Sequence, residues 1–296
     1  MNLQQTLKDL KPKKEFFIGI DSDGCAFDTM EMKQKECFCP NAIKHWELQK
    51  VSKYARETWE FVNLYSRTRG SNRFLALIES LHQLSLRPEV QARNVSIPDL
   101  SPLVEWTKKE TKLGNPALNA YAKTANNEII DRALVWSMSV NADIRDMVHG
   151  IPPFPYVREC LDKLTQTADA IVVSQTPVEA LEREWKENKL DHYVRIIAGQ
   201  EYGTKTEHLA LTAKGKYPDE KILMIGDAPG DMKAAKTNGV LFFPINPGQE
   251  EKSWKDLLEE GLERFFNGSF AGIYERGLIE RFNACLPEKP GWEIVT

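Results

Sequence analysis

The sequence predicts an α/β protein: a parallel sheet with helices on both faces, plus an inserted, mainly helical unit. Three observations carry this reading. From Ala168 onward, short continuous apolar runs alternate with helix-period segments, an order that requires crossover connections and so a parallel sheet. A further apolar run, "FFIGI", stands far upstream at Phe16–Ile20. Between them, residues 31–149 carry helical periodicity with no strand-like run.

Taken in order, Lys14 to Ile20 reads as a buried strand that ends in "DSDG". In the insertion, "VSKYARETWEFVNLY" and "NRFLALIESLHQL" place apolar residues three and four apart. "SPLVEWTKKE" starts a helix with Ser101 as N-cap and Pro102 in the first turn, and "NPALNAYAK" repeats that start with Asn115 and Pro116. "NEIIDRALVWSMSV" continues the helical period. Pro152, Pro153 and Pro155 mark a junction, and Tyr156 to Leu164 is helical again. "ADAIVVSQTP" is a second strand ending in Ser174, Gln175 and Thr176, "VEALEREWKENKL" a charged helix, and "YVRIIAG" a third strand. In "GTKTEHLALTAKG", Thr204 and Glu207 stand at capping-box spacing and Gly215 follows the helix end. "KILMIGD" is the fourth strand, "DMKAAKTNG" a helix closed by Gly239, and "VLFFPINPG" the fifth strand. The amphipathic "KSWKDLLEEGLERFF" and "GIYERGLIERF" are expected to pack on the core, a dimer contact being the alternative. The expected division is a core of residues 1–30 and 150–296 and a helical unit of residues 31–149.

Composition bounds the function. The 296 residues are 42% hydrophobic and 28% charged, ordinary for a soluble globular protein. A net charge of -4 argues against broad nucleic-acid binding, which needs a basic face. No apolar run approaches the ~20 residues of a membrane span, and "MNLQQTLKDLKPKKEFF" lacks the apolar segment of a secretory signal. The five cysteines are irregularly spaced, and Cys37-Phe38-Cys39 has no partner pair, so a zinc site is not expected. The expected setting is cytoplasmic, with reduced thiols.

The chemistry concentrates at strand ends. Asp21 and Asp23 follow a buried run two residues apart, where carboxylates repel and are costly to dehydrate. They need a cation, a shared proton or a task; an aspartate-rich turn is the plainer alternative. Ligands of parallel sheets bind beyond the carboxyl ends of the strands, and Asp21, Asp23, Ser174 and Asp227 all stand there. Lys205 and Asp231 add a cation and a further acid nearby. Clustered carboxylates with few His or Cys partners suit a hard cation, Mg²⁺ shared with a substrate phosphate being the usual case. At ~4 Å and an effective dielectric near 20, each pair of like charges costs about 4 kcal/mol, so a phosphate approaching Asp21 needs both a divalent ion and a lysine.

"DSDGCAFD", Ser174 after "AIVV", Lys205 and "GDAPGD" resemble, in order, the four motifs of the haloacid dehalogenase superfamily. The resemblance spans Asp21 to Asp231 and implies a Rossmann-like core. The insertion is similar to the helical caps of the phosphoglucomutase-like and phosphonatase-like branches. The roles implied are Asp21 as nucleophile forming an aspartyl-phosphate, Asp23 as general acid and then base, Ser174 as phosphoryl hydrogen-bond donor and Lys205 as charge neutraliser. Mg²⁺ would be held by Asp21, Asp227 and the backbone carbonyl of Asp23, with Asp231 supporting it directly or through water. Plainer readings stand beside these: Ser174 as a turn cap, Lys205 as a solvated first-turn residue, Asp231 as a helix N-terminal acid.

The resemblance implies that an aspartate at position 23 favours an oxygen leaving group over halide or phosphonate chemistry, so the expected activity is phosphate-ester hydrolysis. A sugar phosphomutase on the same core is the alternative, and a non-catalytic regulator a more remote one. The cap is expected to select the substrate. Arg67, Arg69 and Arg73, around Gly70 and Asn72 in "YSRTRGSNRF", are candidate anion contacts, with a solvated helix connection as the alternative. Gln175, beside Ser174, is a further candidate contact. Trp46, Trp59 and Trp136 are expected in the cap core, Cys25 is either a substrate contact or a packing residue, and His149 lies at a hinge. The expected partner is a small phosphorylated metabolite, with no nucleic acid and no membrane, and the chain a monomer or homodimer.

Overall fold

The computed structural model describes residues 3–293. Five strands, β1 (Phe16–Ile20), β2 (Ala168–Val173), β3 (Ile197–Ala198), β4 (Ile222–Gly226) and β5 (Leu241–Pro244), form one sheet in the order β3-β2-β1-β4-β5. Every pairing is parallel. The protein is therefore α/β, as its alternating pattern requires.

The uninterrupted apolar runs are explained by two covered faces. Ile18, Ile20, Ala170, Val172, Leu223 and Ile225 point to one side, where Val157, Leu161, Leu181, Trp185, Trp254, Leu257 and Phe265 cover them. Phe17, Ile171, Val173, Ile222 and Met224 point to the other, under Leu209, Ala234, Ala235 and Phe282. Each fully buried aliphatic or Phe side chain contributes about 1.5–3 kcal/mol. The tail helices thus pack on the core: Trp254, Leu257 and Phe265 on the first face, and the helix Ile273–Cys285 on both, with Leu278 on the first and Phe282 on the second.

Three local expectations shift. β3 is shorter than "YVRIIAG" suggests, because it is an edge strand. The chain before it makes only single bonds to β2, Arg195 N–H to the Ala170 carbonyl (2.8 Å) and Val172 N–H to the Ile196 carbonyl (2.9 Å). Ser101 is not the N-cap of its helix: the helix Ser101–Lys109 already includes it, and Asp99 Oδ1 accepts its N–H (3.0 Å) and hydroxyl (2.6 Å). Asn115 likewise lies inside the helix Asn115–Ala125 and accepts the Ser137 hydroxyl. In contrast, Thr204 and Glu207 do form a capping box on Lys205–Thr212.

Near the start of β2, at the end of the sheet opposite the strand carboxyl ends, Asp169 is buried and accepts four donors: Lys13 N–H (2.7 Å), Lys14 N–H (3.0 Å), the Tyr217 hydroxyl (2.7 Å) and Arg195 Nη1 (3.0 Å). Burial alone would raise its pKa. The Lys13 N–H, the Tyr217 hydroxyl, the Lys14 N–H and the Arg195 charge outweigh it and hold the carboxyl below its ordinary value. Its stabilisation is therefore present above pH ~4 and is lost as pH falls through the lower folded pKa. Asp169→Asn should cost about 1–3 kcal/mol in urea unfolding at pH 7, and the gap from wild type should narrow in acid.

By contacts the chain divides into two compact units: the segment up to Met30 with Gly150–Pro287, and Glu31–His149 with the tail from Glu288. The tail differs from the expected 150–296 grouping. Glu288 pairs with Arg67 (2.8 Å), and the Trp292 ring stands edge-on to Phe61 and under the Arg87 guanidinium. The second unit is helical throughout, with Phe38, Trp59, Phe74, Trp106 and Trp136 meeting edge-to-face or stacked at its centre. Trp46, Trp59 and Trp136 are buried there, as packing residues.

Candidate active site

The site grows out of the carboxyl ends of the central strands. One residue past β1, Asp21 donates its N–H to the Ile225 carbonyl of β4 (3.0 Å), so the ladder itself seats it. Its Oδ1 accepts the Ser22 N–H (2.8 Å) and its Oδ2 accepts Lys205 Nζ (2.7 Å). Lys205 opens the helix capped by Thr204 and reaches a second acid, Asp231 Oδ1, at 2.6 Å. Asp231 turns its other oxygen to the Ala228 N–H (3.0 Å). Gly226 permits this: a Cβ there would lie 2.4 Å from the Asp231 side chain. Asp21, Asp227 and Asp231 are all buried and offer ligand oxygens within 4.8 Å of one another.

Three carboxylates and one ammonium leave this site short of positive charge. Burial pushes the Asp21 carboxyl well above its ordinary value; Lys205 pulls it down, while Asp231 and Asp227 push it up. Asp231 is raised for the same reasons. Burial alone would lower Lys205, but Asp21, Asp231 and Asp227 win and hold it firmly protonated. One turn along, His208 is buried and driven down to about 4, by burial and then by the Lys205 charge, so it is neutral at pH 7. A group of buried, purely oxygen donors fits a hard divalent cation and no soft one.

Asp23 stands apart from the three carboxylates. A tight turn carries it, in which the Ser22 carbonyl accepts from Ala26 (2.9 Å) and Phe27 (3.1 Å). Gly24 takes φ +76° in that turn. The Ser22 hydroxyl pins the turn from below, donating to Glu184 (2.8 Å) and accepting from Trp185 Nε1 (3.0 Å). The Asp23 carboxylate accepts Thr29 Oγ1 on Oδ1 and Thr176 Oγ1 on Oδ2, each at 2.6 Å.

Ser174, after β2, is buried; its N–H extends the ladder to Ala198 (2.9 Å) and its Oγ accepts the Thr176 N–H (3.2 Å). Gln175 uses its amide locally, on the Ser174 (3.1 Å) and Gly203 (2.9 Å) carbonyls. The three arginines belong to the helical unit. Arg67 pairs with Glu288, Arg69 is buried with Nη1 on the Leu64 carbonyl (2.9 Å), and Arg73 Nη1 binds Ser137 and Asn141 while its guanidinium lies over Phe38. Cys25 is fully buried with its Sγ toward the Ile225 carbonyl, a packing residue, and His149 is exposed.

Thr29, Thr176, Ser22, Glu184 and Trp185 join the site without having been picked out as site residues. Ser22, between Asp21 and Asp23, and Thr176, two residues past Ser174, each had a local signal at a strand end. Glu184 and Trp185 sit in a charged helix where nothing in the spacing marks them.

Residues 104–245 match the family model of the haloacid dehalogenase-like hydrolases. That range contains Ser174, Lys205, Asp227 and Asp231. No curated protein matches significantly. Among solved structures, a hydrolase from Pseudomonas syringae is 16% identical, covering 84% of this chain and 98% of its own, with a TM-score of 0.49. The putative HAD-hydrolase YfnB from Bacillus subtilis, bound to magnesium, is 13% identical, covering 83% and 100%, with a TM-score of 0.45. A predicted phosphoglycolate phosphatase from Haemophilus somnus is 16% identical, covering 79% and 86%, at 0.41. These are distant likenesses.

Proposed function

We propose that this chain, a member of the haloacid dehalogenase superfamily, is a Mg²⁺-dependent phosphatase of a small phosphorylated metabolite. The observation that carries the reading is the Lys205 bridge between Asp21 and Asp231 inside a buried three-carboxylate group, with Asp23 held apart by two hydroxyls. A nucleophile and a proton donor with separate surroundings are what phosphate-ester cleavage needs.

Asp21, Asp227 and the Asp23 carbonyl would hold Mg²⁺, with Asp231 in support. When bound, the ion supplies the positive charge that offsets the carboxylates and the incoming phosphoryl oxygens. Asp21 attacks phosphorus through a carboxylate oxygen. The bond from phosphorus to the leaving oxygen breaks, and Asp23 gives that oxygen its proton. Water then attacks the aspartyl-phosphate, Asp23 takes the water's proton, and the bond from Asp21 to phosphorus breaks to release phosphate. Lys205 and Ser174 hold the phosphoryl oxygens throughout, and Lys205 is suited to it because its charge is fixed. The free cysteines, Cys25, Cys37, Cys39 and Cys160 all buried, suit a reducing cytoplasm.

The test is phosphate release from a panel of phosphorylated sugars, carboxylic acids and nucleotides, with Mg²⁺ and with chelator. Release that needs the metal and favours one class supports the reading. Failure to release phosphate from any ester, by a folded protein that binds Mg²⁺, overturns it.

A further inference from the structure

We infer that Thr176 is a positioning residue for this reaction: its hydroxyl holds the Asp23 carboxyl in the orientation from which the proton reaches the leaving oxygen. The inference rests on the phosphatase reading above and extends it to a residue outside the four motifs.

The contact is a short hydroxyl-to-carboxylate bond, 2.6 Å from Thr176 Oγ1 to Asp23 Oδ2, in the range of charge-assisted hydrogen bonds. It matters because the Thr176 backbone is itself fixed from three sides. Its N–H donates to Ser174 Oγ (3.2 Å) and its carbonyl accepts from the Gln200 N–H (3.1 Å). Gly199 closes the third side: a Cβ there would stand 2.5 Å from the Thr176 carbonyl oxygen and 2.8 Å from the Val178 nitrogen. The loop after β3 is thereby pressed onto the loop after β2. A β-branched threonine on so constrained a backbone has few χ1 choices, so the hydroxyl direction is preset.

The same three-residue turn carries Ser174, assigned to the phosphoryl group. Thr176 therefore ties the residue that holds the phosphoryl oxygen to the residue that protonates the leaving oxygen on the same phosphorus. Held by Thr29 on Oδ1 alone, the carboxyl would still swing about that single contact and lose the registration, and a misplacement of about 1 Å costs on the order of 10²-fold in rate.

The distinguishing readout is leaving-group dependence. An alkyl phosphate needs its leaving oxygen protonated; p-nitrophenyl phosphate leaves as a stable phenolate and does not. With Mg²⁺ present, Thr176→Val should lower kcat/KM for the best alkyl phosphate of the panel by about 10- to 100-fold, and for p-nitrophenyl phosphate by much less. This ratio reports the steps up to phosphoryl transfer, so later hydrolysis of the aspartyl-phosphate does not mask it. Thr176→Ser, which keeps the hydroxyl, should restore most of the loss. Equal falls on both substrates, no fall on either, or no rescue by serine overturns the assignment, since a structural role moves both substrates together. Should the valine variant unfold, Thr176→Ala beside Thr176→Ser makes the same comparison. A wild-type protein inactive on both substrates overturns the phosphatase reading and this one with it, an outcome distinct from unequal losses in an active enzyme.

Discussion

Asp21→Asn is expected to abolish metal-dependent phosphate release, with kcat/KM lower by on the order of 10⁴-fold or more. An amide oxygen is a poor nucleophile toward phosphorus, and the change removes one of the three acidic ligands as well. The same substitution should leave the metal-free protein as stable as wild type or more so. Asp21 is buried beside Asp227 and Asp231, and its folded pKa is raised from 3.8, so ionising it costs free energy in the fold. A raised carboxyl contributes stability that is complete below the unfolded pKa and is lost as pH rises through the folded one. In chelator, then, wild type should lose ground to Asp21→Asn as pH is raised from acid toward neutral. Urea midpoints for both proteins across that range check the sign. Retained activity would remove Asp21 as nucleophile; a neutral variant that is less stable at pH 7 would mean the Lys205 pairing outweighs the repulsion.

Lys205→Met should have the largest effect on stability. Its ammonium bridges Asp21 at 2.7 Å and Asp231 at 2.6 Å, and removing it leaves three buried carboxylates with no cation among them. Breaking a buried ion pair from one side costs about 3–5 kcal/mol, and here two pairs share the lysine. The loss should be greatest in chelator and partly recovered by Mg²⁺, because a ligand that binds only the folded state stabilises it. Phosphate release should fall with it, even at saturating metal. Unfolding midpoints with and without Mg²⁺ test this; a variant as stable as wild type in chelator would show that the carboxylates take up protons at little cost.

Much of this was legible because the relevant signals are local. Asp21, Asp227 and Ser174 each directly follow a continuous apolar run, so finding the strands placed the residues. Thr204 and Glu207 sit three apart, the spacing a capping box needs, and the box formed. Ser101 fell one residue inside its helix, where Asp99 accepts its N–H, because the position of the cap among neighbours depends on backbone angles that composition does not encode. Asp169 carries no such local signal, standing as one polar residue in an apolar strand. Its four donors come from Lys13, Lys14, Arg195 and Tyr217, all of them at least 26 residues away in the chain.

The sequence by itself determined the sheet, its parallel sense and the strand ends at which the acids gather, since apolar periodicity and crossover order are written along the chain. It also carried the four motifs, because each lies on one short segment. Only the tertiary structure decided that Lys205 serves two carboxylates at once, that Thr29 and Thr176 share Asp23, and that Arg69 and Arg73 spend hydrogen bonds within the helical unit. The tail from Glu288 falls in the same class, joined to the helical unit by one ion pair and one indole. The reason is physical. A hydrogen bond needs its partner within about 3 Å, and whether two side chains distant in sequence meet at that range depends on packing, which no spacing along the chain records.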